Sequence, residues 1–77
     1  MSFNNVKLTD KDVYTILYLS KIKGLKPSEI ESYFPVSKLT IRSIVNGKSR
    51  KDCYYAFLEY MEKYPKEKVI ELFESHT

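Results

Sequence analysis

Apolar residues in this chain recur at intervals of three and four, with polar residues between them. Val13, Ile16, Leu17 and Ile22, flanked by Tyr14 and Tyr18, fall on one face when wound at about 3.6 residues per turn. Thr9 stands where an N-terminal cap belongs, and Asp10 and Asp12 where the helix dipole favours negative charge. The pattern runs through Lys23, and Gly24 closes this first helix as a C-terminal glycine. A second, short helix opens at Pro27-Ser28, with Glu29 and Glu31 close behind and Ile30, Tyr33 and Phe34 as its inner face. Pro35 cannot continue it, since proline lacks an N–H and its ring collides with the preceding turn. Ser37 then caps a third helix whose inner face is Ile41, Ile44 and Val45, and Asn46-Gly47 ends it.

After a basic loop, Lys48-Ser-Arg-Lys51, a fourth helix is expected from a cap at Asp52 through Tyr64, with Ala56, Phe57, Tyr60, Met61 and Tyr64 on one face. Pro65 interrupts it, and Val69, Ile70 and Phe73, with Leu72 alongside, mark a short fifth helix. Phe3 to Leu8 reads as a polar lead-in partly ordered by Phe3 and Val6. No stretch alternates with period two, so the predicted fold is all-α, a small bundle of about five helices.

Composition narrows the picture. A hydrophobic content of 43% supports a folded core, and 77 residues form one domain at most. No apolar run approaches the roughly 20 residues of a membrane helix, and the N-terminus has no signal-peptide core. Cys53 is the single cysteine, so no internal disulfide is possible; a buried thiol in a reducing cytoplasm is expected. Charge is divided unevenly: up to Lys51 the chain holds ten Lys or Arg against four Asp or Glu, and from Asp52 onward three against six. A basic front and an acidic back suit a protein that turns one side to a polyanion.

The run Glu29-Ile30-x-x-Tyr33-Phe34-x-Val36-Ser37-x-x-Thr40-Ile41-x-x-Ile44 resembles the helix-turn-helix of small DNA-binding regulators of bacteria, phages and mobile elements. Those proteins commonly carry E-I-A-x-x-F-G-V-S-x-x-T-V-x-x-I, often followed by Asn-Gly-Lys, which here is Asn46-Gly47-Lys48. The resemblance implies a helix-turn-helix over about residues 27–47 that binds double-stranded DNA, with the helices of 52–75 completing the core or mediating association. Two positions depart from the pattern. Glu31 replaces a small alanine at the helix crossing, and Pro35 replaces a glycine used for positive φ. Proline holds φ near about −65°, so the turn must be built differently.

With Ile41, Ile44 and Val45 inward, Leu39, Arg42, Ser43 and Asn46 occupy the outer face of the third helix, and Lys38 and Thr40 flank its start. Arg42 suits guanine and Asn46 adenine; Leu39 suits either a thymine methyl or a rim contact with another helix. Backbone contacts fall to Lys26, Ser28, Ser37, Lys48, Ser49, Arg50 and Lys51. Glu29 and Glu31 are expected to point away, toward Lys21 or Lys23. Tyr54, Tyr55, Tyr60 and Tyr64 crowd the fourth helix, and either wrap a small core or form an association surface for a second copy or a partner regulator. No catalytic set, metal-ligand spacing or phosphate loop is recognisable, so no enzyme activity, metal or cofactor is expected. The alternative function is a protein-interaction module on the same helical core.

Overall fold

The computed structural model describes residues 8–74, and these contain five α-helices and no strand. The lead-in residues Phe3 and Val6, and His76, lie outside the described part. The helices are α1 (Asp10–Lys21), α2 (Pro27–Ile30), α3 (Lys38–Val45), α4 (Lys51–Lys63) and α5 (Lys66–Glu74).

Helix α1 begins as its sequence predicts. Thr9 Oγ1 accepts from the Asp12 amide at 3.1 Å, and the Thr9 amide donates to Asp12 Oδ2 at 3.2 Å, a reciprocal capping box. Its regular winding stops at Lys21, two residues before the expected end. The amides of Ile22 and Lys23 both donate to the Tyr18 carbonyl, and Gly24 then turns the chain with φ 76°. Glycine takes that left-handed backbone without a Cβ clash.

Helix α2 lasts a single turn and tightens into a 3-10 turn over Glu31–Tyr33. Three residues per turn rotate each side chain further than α-helical winding does. Tyr33, expected on the inner face with Ile30 and Phe34, is therefore swung outward and is 68% exposed. Phe34 packs half-buried against the core, in an extended backbone (φ −133°, ψ 149°) such as a residue before proline prefers. No residue between Phe34 and Ser37 has positive φ, so the turn is closed without the left-handed residue that glycine supplies in similar sequences.

One contiguous core joins the elements. Helix α1 lies at its centre and packs against α2, α3 and α4. Val13, Ile16, Leu17 and Tyr18 from α1 meet Ile30, Ile41, Ile44, Val45, Cys53, Phe57 and Val69, all buried. Burying one such aliphatic or aromatic side chain stabilises the fold by about 1.5–3 kcal/mol. Helix α4 packs on α1 and α3, and its Phe57 ring meets Phe73 of α5 edge-on at 6.2 Å; Cys53 and Phe57 are buried, Tyr60 and Met61 half-buried, and Ala56 and Tyr64 exposed. Asp52 does not cap α4. It sits within the first turn, and the capping position belongs to Arg50, whose backbone is left-handed at φ 53°.

Candidate nucleic-acid interface

The face opposite the core on α3 carries the polar-basic residues that its sequence placed there. Lys38, Leu39, Thr40, Arg42 and Asn46 are exposed, and Ser43 is half-buried. Ser37 Oγ accepts from the Thr40 amide at 3.4 Å and caps the helix. At the other end, the Ser43 carbonyl accepts from the amides of Lys48, at 2.8 Å, and Ser49, at 3.2 Å. The basic loop is thereby folded back onto the last turn of α3, which brings Lys48 beside the outer face. Gly47 makes this possible, with φ 77° and no room for a side chain: a Cβ there would lie 2.8 Å from the Tyr54 ring.

The remaining cations divide. Lys26, Lys48 and Lys51 are exposed, as is Ser28, and Ser49 is half-buried. Arg50 is committed within the fold: its guanidinium donates to the Leu8 carbonyl at 2.8 Å and to Asp10 Oδ1 at 2.6 Å. It ties the start of α1 to the start of α4, and the Cys53 thiol donates to the same Asp10 oxygen at 3.5 Å.

The two glutamates do not reach toward Lys21 or Lys23. Both turn to backbone amides. Glu29 Oε1 accepts from the Lys26 amide at 2.8 Å, closing the start of α2. Glu31 Oε2 accepts from the Lys38 amide at 3.2 Å, across the turn. A carboxylate at the amino end of α3 satisfies an orphan N–H and complements the helix dipole. Glu31 thus bridges the turn between α2 and α3. Neither this bridge nor the exposure of Tyr33 is visible in the sequence, because no short-range spacing links Glu31 to Lys38 through a proline turn.

The four tyrosines of the acidic half fall into two pairs. Tyr54 lies under Gly47 with its ring edge-on to Tyr55, centroids 5.4 Å apart. Tyr55 is 63% exposed on the far side of α4 from Phe57. Tyr60 and Tyr64 pair at 4.8 Å near the other end. Tyr60 also lines an apolar groove of about 690 Å³ between α1, α4 and α5, together with Tyr14, Tyr18, Phe57 and Phe73.

At one end of this groove the Tyr18 hydroxyl donates to Glu74 Oε2 at 2.8 Å, and Lys23 Nζ lies 3.3 Å from the same oxygen. Burial, and then this bond, push the Tyr18 phenol up from its ordinary range. The Tyr18 hydroxyl, and then Lys23, hold the Glu74 carboxyl below the usual glutamate range.

Among the described residues no group of His, Cys, Asp and Glu is arranged to hold a metal ion, and no helix is long and apolar enough to cross a membrane. No protein-family model, curated protein or solved structure matches this chain.

Proposed function

We propose that the protein is a sequence-specific DNA-binding regulator that lays α3 in the major groove and grips the backbone with the loop after it. The observation that carries this reading is the outer face of α3. Arg42 and Asn46 lie exposed there, opposite Ile41, Ile44 and Val45, and the backbone of Lys48 and Ser49 is bonded to the helix end beside them. Arg42 is suited to the O6/N7 edge of guanine and Asn46 to the N6/N7 edge of adenine. Lys48, Lys51 and Lys26 serve phosphates. One helix spans only a few base pairs, so specific binding calls for a second copy or a partner regulator.

The test is fluorescence anisotropy on mixed-sequence duplex DNA across a salt series. Binding that weakens linearly in log–log form, with a slope that drops by about 0.9 when Lys48→Ala removes one phosphate contact, supports the reading. Arg42→Ala should weaken binding to a selected site more than binding to bulk DNA. Absence of binding at low salt by a folded protein defeats it.

A second reading, a module that binds another protein, draws on the apolar groove beside α5 and the exposure of Tyr55. Tyr55→Ala separates the two: it leaves DNA affinity unchanged under the first reading and abolishes partner capture under the second.

A further inference from the structure

We infer that Leu39 makes this surface selective for DNA carrying a pyrimidine C5-methyl group, which in ordinary duplexes means thymine. The inference rests on the DNA-binding reading above and names what one residue of that face recognises.

Two observations support it. Leu39 is 69% exposed and lies opposite the buried Ile41, Ile44 and Val45, so its side chain stands outside the core and open to a ligand. The second concerns what surrounds it. Two amides of the first turn of α3 are already engaged, Lys38 by Glu31 Oε2 and Thr40 by Ser37 Oγ. A phosphate brought to this end meets the Glu31 carboxylate, which repels it, so the first turn is better suited to base edges than to the sugar–phosphate backbone.

The chemistry then selects the partner. A leucine side chain has no donor or acceptor, and the thymine methyl is the apolar group displayed on the major-groove edges. Against any other edge Leu39 strips water from polar atoms and returns no bond. Against the methyl both surfaces leave water. Arg42 and Asn46, further along the same face, discriminate by hydrogen bonds, while Leu39 discriminates by a single carbon.

Deoxyuridine differs from thymidine only by that carbon, which makes the test direct. A duplex of about 20 base pairs is selected from a random-sequence pool with the wild-type protein, sized to span a site of this kind. It is then synthesised once with thymine and once with deoxyuridine throughout. Wild-type protein should bind the deoxyuridine duplex about fourfold more weakly for each methyl that Leu39 covers. Leu39→Ala should bind the two duplexes alike, and should keep wild-type thermal stability because the side chain is exposed. Tight wild-type binding with no thymine preference, or the same preference in Leu39→Ala, overturns the inference and leaves the DNA-binding reading standing. Failure of wild-type protein to bind any duplex at low salt overturns both.

Discussion

Gly24 and Gly47 share a left-handed backbone, with φ 76° and 77°, yet they constrain the chain differently. Nothing lies within 4 Å of a Cβ built on Gly24, whereas one on Gly47 would sit 2.8 Å from the Tyr54 ring. Gly24→Ala should therefore cost only the backbone term, about 1–2 kcal/mol. Gly47→Ala should cost that and the displacement of Tyr54, which also carries Lys21 Nζ 5.7 Å above its ring. Urea midpoints of the two variants check this ranking, and an equal shift would mean that the Tyr54 ring moves freely. Glu31 offers a second prediction at this scale. Glu31→Gln keeps an acceptor for the Lys38 amide but removes a negative charge from the proposed DNA-facing end of α3. Stability should change by no more than about 0.5–1 kcal/mol, while affinity for duplex DNA at low salt should rise. A fall in affinity in the anisotropy assay would mean that the carboxylate itself accepts from a base.

Among the elements, α5 is held to the body by side chains near its end. Val69 is buried, Phe73 stacks on Tyr18 at 4.4 Å, and Glu74 joins Tyr18 and Lys23. The pH response follows from the direction of each shift. The Glu74 carboxyl is lowered in the fold, so its contribution is present above the ordinary glutamate range and is lost as pH falls through its own lowered value. The Tyr18 phenol and the Lys23 ammonium are raised, so theirs is present below their ordinary values of 10.0 and 10.5 and is lost as pH rises through the raised ones. Helix α5 should be docked most firmly between those limits. Amide hydrogen exchange of α5, corrected for intrinsic rates, should show protection falling in acid before that of α1 does. Glu74→Gln should flatten that difference. Protection of α5 and α1 that declines together in the wild type would place the acid sensitivity in the core instead.

For the whole molecule, charge and topology combine. The basic front of the chain supplies α3 and the loop after it, and the acidic residues follow along α4 and α5. Arg50 is drawn out of the basic front by its bonds to Leu8 and Asp10. Arg50→Ala should for that reason lower thermal stability, by about 1–3 kcal/mol for a lost charge-assisted bond and an unpaired carbonyl. It should leave the salt slope of DNA binding unchanged. A reduced slope without loss of stability would return Arg50 to the phosphate contacts.

Much of this architecture was legible along the chain because it depends on near neighbours. Helical periodicity identified the inner faces of α1 and α3, and Ile41, Ile44 and Val45 are buried as the spacing required. Thr9 and Ser37 act as caps, and Gly24 and Gly47 as helix ends, through bonds spanning a few residues. Periodicity also placed Arg42 and Asn46 together on the outside of α3. Tertiary structure decided the rest, wherever partners lie far apart in sequence. Arg50 finds Asp10, Tyr18 finds Glu74, and Glu31 reaches Lys38 around a proline turn. The 3-10 winding that turns Tyr33 outward, and the packing of α4 that leaves Tyr55 exposed, also depend on the assembled core. Local spacing sets which face of a helix is apolar, but which charges and rings meet across the fold depends on how the helices cross, and that is set by packing.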